Sequence, residues 1–268
     1  IIVLVIRSLT LPGASEGLAY LLVPDFSAIN GKTILAAMGQ VFYSLSLGMG
    51  IMITYGSYLD KQSNMVKSSV IVPMLDTLAA VLAALAILPA VFVFGFDLNG
   101  GPGLMFSTLP AVFSQMPLGQ LFAILFFVLV LFAALTSTIS LLEVVVTYLI
   151  DEKKISRRNA SILATMVIFI FTIPASLSMG PWADIHFLPG MGFFASVDYL
   201  SSNILLPIAG FLCCIFIGWV WGVDKAIYEL TNEGSLVFKL APVWAFLIKY
   251  VAPLAILLIF INALGFLG

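Results

Sequence analysis

Charged side chains are scarce in this 268-residue sequence, where Asp, Glu, Lys and Arg together make up 9% against about 25% in soluble domains. Hydrophobic residues make up 62%, where about 45–50% is typical. The charges nearly balance, with 11 basic and 13 acidic residues. This composition excludes an ordinary soluble domain, and without a basic excess it also excludes nucleic acid as a partner.

Histidine and cysteine are equally rare, with one His and two Cys. No nucleophile–base pair accompanies His186, so we expect that the protein is not an enzyme. Cys213 and Cys214 are adjacent within an apolar run, which suits neither an ordinary disulfide nor a metal site. We interpret both as small buried hydrophobic residues.

Long stretches of the chain contain no charge at all. Six such runs are each long enough for a membrane span of about 20 residues: 33–59, 77–96, 98–142, 159–183, 199–223 and 250–268. We therefore predict an all-α, polytopic membrane protein surrounded by lipid. The predicted spans are 1–12 (partial), 34–59, 68–96, 118–150, 158–179, 198–222 and 243–267, with an extracellular loop at 97–117.

Basic residues fall in alternate loops, at Lys61, in 153–158, and at Lys225 and Lys239. Because such residues stay on the cytoplasmic side, these loops are predicted to face the cytoplasm. Lys249 lies near the cytoplasmic start of the last span, where its ammonium group can reach the interface. The chain starts without Met or a signal-peptide pattern, so we expect it to begin inside a helix and to be the C-terminal part of a longer protein.

The segment GQVFYSLSLGMG at 39–50 interrupts the pattern of an apolar span. Gly48 and Gly50, with Ser44 and Ser46, cluster where mid-membrane depth is expected. Small residues allow close packing of membrane helices, which is one explanation. The other is a discontinuous helix whose unwound backbone and hydroxyl groups face a cavity.

Asp76 places a carboxylate within the next span. Insertion of such a charge costs about 2.5–3.5 kcal/mol, so we expect the side chain to face the bundle interior, with a cation or a hydrogen-bond donor as partner. The alternative is a hydrogen bond that serves packing alone.

A polar stripe follows one face of the span 118–150, at spacings of three and four residues: Ala133, Thr136, Ser137, Ser140 and Glu143. The hydroxyl groups either bond to the backbone of their own helix or offer uncharged oxygens to a monovalent cation. Glu143 either makes a structural hydrogen bond or lies near an ion path.

Four segments together resemble the neurotransmitter:sodium symporter family, particularly its bacterial amino-acid transporters: GQVFYSLSLGMGIMITYGSYL (39–59), LTSTIS (135–140), IDEKKISRRNA (150–160) and WGVDKAIYEL (221–230). The similarity extends from RSLTLPGASEGLAYLLVPDF (7–26) to the final helix. It implies a leucine-transporter-type inverted-repeat fold, an architecture that is the general example for such transporters. The chain then runs from the end of the fifth helix through the eleventh, and the sixth is discontinuous near 44–50.

The resemblance also implies two sodium ions and an amino-acid substrate bound at mid-membrane. It places Ser44 and Asp76 in the first sodium site. It places the Ala133 carbonyl and the hydroxyl groups of Thr136 and Ser137 in the second. The implied substrate pocket is lined by Tyr43, Ser44, Ser46, Met49, Ser137 and Leu141. The remaining ligands belong to N-terminal helices of the same protein that this chain lacks.

Gate residues follow from the same resemblance, with Asp198 as the extracellular gate and Asp151 with Tyr58 as the intracellular gate. For Asp151 the alternative is a solvated helix end.

Ala80 stands where chloride-dependent members have a serine, so we expect no requirement for chloride. Met49 offers a flexible wall, which favours a hydrophobic or aromatic amino acid.

These features predict a sodium-coupled symporter that imports an amino acid by alternating access in a cell membrane, specifically the inner membrane of a bacterium. Two alternatives remain open: a non-transporting, receptor-like relative that binds sodium and an amino acid, and a truncated, inactive remnant. A channel is less consistent with the sequence, because no segment resembles a repeated filter loop.

Overall fold

A computed structural model describes residues 1–95 and 104–265 of the chain. Within them the secondary structure is helical, without a β-strand, and one isolated bridge joins Leu188 and Met191. Residues 97–103 of the predicted loop, and positions 96, 266 and 267 of two predicted spans, lie outside the described residues. The α-helices are α1 (Ile2–Leu9), α2 (Ala14–Leu22), α3 (Gly31–Ser44), α4 (Ile51–Ser57), α5 (Met65–Val93), α6 (Leu109–Ser114), α7 (Gly119–Asp151), α8 (Arg157–Leu177), α9 (Phe193–Tyr199), α10 (Leu206–Ile215), α11 (Val223–Leu230), α12 (Ala241–Phe246) and α13 (Ala252–Ala263).

Short segments of π-helix connect several of these helices, at Leu104–Thr108, Leu200–Leu205, Phe216–Gly222 and Leu247–Val251, and a 3₁₀ turn covers Phe26–Ala28. A π segment inserts an extra residue into a helical turn and often marks a functional region. The helical backbone continues through the π segments from α9 to α10 and from α12 to α13, whereas Gly222, with φ of 96°, interrupts it before α11.

Five helices of the described chain are long and apolar enough to cross a membrane: Met65–Val93, Gly119–Asp151, Arg157–Leu177, Phe193–Leu230 and Ala241–Ala263. A sixth candidate is the pair α1 and α2, which is bent by 116°. The bend follows Pro12 and falls at Gly13, whose φ of 88° suits glycine. The chain is thus a multi-pass membrane protein.

The chain divides into two compact units. The first contains Ile1–Ile29 and Ile71–Thr138. Its core is a continuous cluster of buried apolar side chains: Leu4, Leu11, Ala14, Ala90, Val91, Leu109, Val112, Phe113, Met116, Phe122 and Phe126. Close helix packing adds to this core, because a Cβ on Gly17 would lie 2.6 Å from the Pro89 Cα.

The second unit contains Asn30–Val70 and the described residues from Ile139 onward, and it includes a helix that is broken in the middle. Helix α3 begins with the side chain of Asn30 accepting a hydrogen bond from the Thr33 amide, and it ends at Ser44. Helix α4 resumes at Ile51. Between them the backbone is left-handed at Ser46, Gly48 and Gly50, with φ of 55°, 78° and 81°. The predicted discontinuous helix is confirmed.

Close packing also occurs at the break. The small residues therefore serve both explanations, close helix packing and a discontinuous helix. A Cβ on Gly48 would lie 2.6 Å from the carbonyl oxygen of Leu206 in α10. A Cβ on Gly210 would lie 2.5 Å from the ring of Phe42 in α3. Glycine is therefore required at position 48 both by its conformation and by its close contact with α10.

Three short helices lie outside the predicted spans. These are α2, α6 and α11; α6 lies within the predicted loop 97–117. Helix α6 was missed because Pro102, Pro110 and Pro117 favour a loop there, and the other two were missed because the spans were derived from long uncharged runs. Helices α2 and α11 are short and contain charged residues such as Glu16 and Asp224 in their first turns.

Candidate functional site

A cavity of about 390 Å³ lies in the second unit beside α3, the first half of the broken helix. Its polar lining comes from α3, from the end of α9 and the segment after it, and from the end of α13: Gln40, Tyr43, Asp198, Ser202, Asn203 and Asn262. The rest of the lining is apolar, including Phe42, Leu206 and Ile259. Polar and apolar groups therefore share the wall of this cavity about equally.

Asp198 is the acid of this cavity. Its Oδ1 accepts a hydrogen bond from the Ser202 hydroxyl at 3.3 Å. The neighbouring Tyr199 hydroxyl donates to the carbonyl oxygen of Ala263 at 3.3 Å, which ties this segment to the end of α13. The Asp198 carboxylate therefore lines the cavity, and hydrogen bonds from Ser202 and Tyr199 hold the segment around it in place.

The residues of the broken helix that the resemblance implies for the substrate pocket lie at the end of α3 and in the unwound segment. Tyr43, about half exposed, and Ser44 are the last residues of α3. Ser46 and Met49 belong to the unwound segment. Leu141, also about half exposed, lies on α7 in the second unit.

The polar stripe of α7 brings three oxygens together in the first unit. The Thr136 hydroxyl donates to the Ala133 carbonyl at 2.9 Å, and the Ser137 hydroxyl donates to the same carbonyl at 3.1 Å. These are the backbone bonds that membrane helices commonly contain. They also cluster three uncharged oxygens, the type of ligand that hard cations prefer.

Ser44 and Asp76, the residues implied for the first sodium site, belong to different units. Ser44 ends α3 in the second unit, and Asp76 lies in α5 in the first, where its side chain is half-buried. Each makes a polar interaction within the described structure. Their joint role stays a prediction.

Polar contacts hold the C-terminal end of the broken helix to α7. The hydroxyl of Tyr58, directly after α4, donates to Glu143 Oε1 at 2.7 Å and lies 2.6 Å from the Thr147 hydroxyl. One turn earlier, the hydroxyl groups of Tyr55 and Ser140 are hydrogen-bonded. The polar stripe of α7 therefore continues as the docking surface of α4.

Glu143 also forms an ion pair. Its Oε2 accepts a hydrogen bond at 2.8 Å from a guanidinium nitrogen of Arg157, the first residue of α8. The Glu143 side chain is 14% exposed and that of Arg157 is 66% exposed. Sequence reasoning left the role of Glu143 open and missed Arg157 as its partner. The signal for it was the short loop between α7 and α8, which makes the adjoining helix ends neighbours.

Asp151 is the last residue of α7 and is exposed. The Tyr58 hydroxyl contacts Glu143 and Thr147. The proposed role of Asp151 in an intracellular gate stays a prediction.

The model of the sodium:neurotransmitter symporter family matches residues 1–266. This chain belongs to the sodium:neurotransmitter symporter family. The family and its fold are those of transporters, in agreement with the resemblance noted in the sequence.

Two bacterial proteins are among the relatives of this chain. It is 42% identical over 269 residues to an uncharacterized sodium-dependent transporter, YhdH, of Bacillus subtilis, covering 100% of this chain and 59% of YhdH. It is 42% identical over 262 residues to an uncharacterized sodium-dependent transporter of Haemophilus influenzae, covering 97% of this chain and 56% of the relative.

A solved structure has the same fold. The crystal structure of MhsT in complex with L-phenylalanine matches with a TM-score of 0.87 and 42% identity, covering 98% of this chain and 59% of that one. This match confirms the predicted leucine-transporter-type fold. The chain thus spans less than two thirds of the length of each of these relatives.

Proposed function

We propose that the protein is a sodium-coupled symporter that imports a hydrophobic or aromatic amino acid by alternating access across a bacterial inner membrane. The observation that carries this proposal is the match to MhsT, whose structure holds L-phenylalanine and which is 42% identical over nearly the whole chain. The broken helix, with its unwound segment and adjoining cavity, supports it from this chain's own geometry.

The proposed substrate pocket suits a hydrophobic side chain. Tyr43, Met49 and Leu141 contribute apolar surface, and Ser44, Ser46 and Ser137 offer hydroxyl groups to the charged end of an amino acid. A methionine wall adapts to bulky groups because its side chain is unbranched and flexible. Helices outside this chain would complete the pocket.

Two sodium ions are proposed to enter with the amino acid and to drive its uptake. Ser44 and Asp76 contribute to one site, and Ala133, Thr136 and Ser137 contribute to the other. Each ion that enters down about 100 mV gains about 2.3 kcal/mol, and a tenfold gradient adds about 1.4 kcal/mol. Two ions would support accumulation of a zwitterion on the order of 10⁵-fold.

Asp198 at the outer cavity, and Tyr58 with Asp151 at the inner end, are proposed to close the two sides in turn. Chloride is not required in this proposal, because Ala80 supplies no hydroxyl group to an anion. Stimulation of uptake when chloride replaces gluconate would contradict this part.

The first test is uptake by the complete native protein in proteoliposomes. We expect accumulation of labelled phenylalanine, leucine or a related amino acid with an inward sodium gradient, and none when potassium replaces sodium. Sodium-dependent binding without accumulation would instead support the receptor-like alternative. Loss of both binding and uptake would contradict the proposal and favour an inactive remnant.

The sodium ligands on α7 can be tested with a matched pair of variants. Replacing Thr136 and Ser137 by Ala should raise the half-saturating sodium concentration at least tenfold, about 1.4 kcal/mol, because two ligand oxygens are lost. Thr138→Ala is the control, since the Thr138 hydroxyl makes the same kind of backbone bond, to Leu135 at 2.9 Å, but is not a proposed ligand. Equal sodium dependence in the double variant and the control would rule out the assignment.

A further inference from the structure

A small cavity lies inside the core of the first unit. Its volume is about 10 Å³, and its wall comes from α1, α5, α6, the turn after α6, and α7. Most of the lining side chains are buried members of the apolar core, among them Leu109, Phe113 and Phe126, which are 2%, 7% and 6% exposed. Side chains of this chain itself therefore cover most of the cavity.

Two residues of α1 that line the cavity, Arg7 and Ser8, have polar side chains. Ser8 is 2% exposed, and its Oγ has no hydrogen-bond partner among the described residues. Such a hydroxyl group has lost the hydrogen bonds that water makes to it in the unfolded chain, and buried polar groups without a partner are rare for that reason. The Ser8 hydroxyl therefore needs a partner that the described residues do not supply.

Other hydroxyl groups in the long apolar helices bond to the backbone of their own helix. The hydroxyl groups of Thr77, Thr136 and Thr172 donate at 2.8, 2.9 and 2.9 Å to carbonyl oxygens three or four residues earlier. This is the usual arrangement for Ser and Thr in membrane helices. Ser8 lacks this bond in the described structure and lines the cavity instead. Its hydroxyl group is therefore available to a ligand inside the cavity.

Arg7 places a cation beside the same cavity. Its guanidinium carbon lies 6.0 Å from the ring centroid of Phe122, and the residue is half-buried. The ion pairs of the described chain join Lys61 to Glu233 and Arg157 to Glu143, so none of them balances Arg7. A guanidinium group only donates hydrogen bonds, and its charge repels a metal ion. A ligand of this cavity must therefore be able to accept a hydrogen bond.

The volume limits the ligand to one very small molecule. A cavity needs roughly 10–15 Å³ of space for a water-sized sphere in order to hold one water molecule, and this cavity, at about 10 Å³, reaches the lower end of that range. An amino acid or an acyl chain is too large for it. Water is small enough, and it can accept a hydrogen bond from Arg7 while it donates one to the Ser8 Oγ.

We propose that this cavity is a binding site for one structural water molecule that bridges the Ser8 hydroxyl and the Arg7 guanidinium. The water supplies the missing hydrogen bond of the buried hydroxyl and turns its oxygen toward the cation. The contact of α1 with the apolar core is then partly polar, close to the end of α1 and to the bend that follows it. This inference does not depend on the proposed transport activity.

The direct test is a high-resolution density map of the complete protein. We expect a peak about 2.5–3.2 Å from the Ser8 Oγ and from a guanidinium nitrogen of Arg7. A map without this peak, or with a side chain of the N-terminal helices inside the cavity, would overturn the proposal. An anomalous signal at the peak after bromide replaces chloride would also overturn it, because the ligand would then be an anion.

The sign of the stability change in Ser8→Ala gives a second test. If the hydroxyl binds water, its removal costs a hydrogen bond, and the melting temperature should fall by about 2 °C or more. If the hydroxyl has no partner, its removal should raise the melting temperature. Ser114→Ala is the control, because the exposed Ser114 bonds to the carbonyl of Ala111 in its own helix at 2.7 Å, and its effect should be smaller. A Ser8→Ala protein at least as stable as the parent would contradict the site.

Radiolytic footprinting detects the bound water without relying on stability. Ionisation of a bound water molecule produces hydroxyl radicals, which oxidise methionine side chains beside it. Met116 lines the cavity and is 8% exposed, so its oxidation should fall about threefold or more in Ser8→Ala. Met179 is 63% exposed and reacts with radicals from bulk water, so its oxidation should stay unchanged. Equal oxidation of Met116 in the parent and in Ser8→Ala would refute the proposal.

Discussion

The two units of the chain are stabilised in different ways. In the first, buried apolar side chains such as Leu109, Val91 and Val112 form one continuous cluster. In the second, the buried cluster of Val146, Ala160 and Ala164 is small, and the broken helix is held by close glycine contacts and by hydrogen bonds. Apolar contacts are non-directional, whereas a hydrogen bond or ion pair is lost when its geometry changes.

This difference indicates where a conformational change costs the least free energy. A packed apolar core resists small shifts, because every displaced side chain leaves a void. A helix end held by Tyr58, Glu143 and Arg157 can be released by breaking a few polar contacts. The second unit therefore contains the elements that are easiest to switch between two arrangements.

The core of the first unit should show the largest loss of stability. Leu109 is 2% exposed, so Leu109→Ala removes buried methyl groups and leaves a cavity that costs about 3 kcal/mol. Leu121, with a side chain 51% exposed, serves as the control, and Leu121→Ala should cost less than about 1 kcal/mol. Unfolding of the complete protein measures both. Similar losses for the two variants would show that the first unit does not depend on this core.

Gly48→Ala tests the break in the second unit and should cost about 2 kcal/mol or more. A left-handed conformation alone costs an alanine about 1–2 kcal/mol, and its Cβ would also collide with the Leu206 carbonyl. Gly56→Ala is the matched control, because Gly56 lies inside α4 with no heavy atom within 4 Å of the new Cβ. Thermal unfolding should separate the two variants. A Gly48→Ala protein as stable as Gly56→Ala would contradict the strained geometry of the break.

The ion pair between Glu143 and Arg157 should have a smaller effect. We expect a double-mutant cycle with Glu143→Gln and Arg157→Gln to give a favourable coupling free energy that is smaller than the loss of stability in Gly48→Ala. The value is limited because the Arg157 side chain is 66% exposed and water screens the pair. Arg158→Gln changes the adjacent cation and should show no coupling to Glu143. Equal coupling at both arginines would mean that the pair is not specific.

The contact between Lys61 and Glu233 should matter least. The side chains are 90% and 58% exposed, so Glu233→Gln should leave the melting temperature nearly unchanged at pH 7. The hydrogen bond and charge of Glu233 raise the pKa of Lys61 above its ordinary value of 10.5. The contribution is therefore present below pH 10.5 and lost as the pH rises through the raised pKa. A loss of several degrees at pH 7, where Lys61 is charged in both states, would contradict this assignment.

Sequence reasoning succeeded where the signal is local. Uncharged runs indicated the long helices, and the small residues between Ser44 and Gly50 indicated the break. It missed α2 and α11, because short helices with charges in their first turns do not produce a long apolar run. The partner of Glu143 was missed for a different reason, since it depends on how α8 begins relative to α7.

In the candidate site, too, local features could be predicted from the sequence and long-range contacts could not. The spacing of Ala133, Thr136 and Ser137 on one helix turn follows from 3.6 residues per turn, so their proximity could be read from the sequence. The cavity that contains Tyr43, Asp198 and Asn262 could not, because its walls come from segments far apart in the chain.

The sequence by itself determined that this is an all-helical, multi-pass membrane protein of a sodium symporter family, because hydropathy and family motifs are carried by consecutive residues. Only the tertiary structure decided which groups meet: Glu143 with Arg157, Gly48 with Leu206, and Gly210 with Phe42. Such contacts depend on the packing of whole helices, whose relative positions are set by many weak interactions at once.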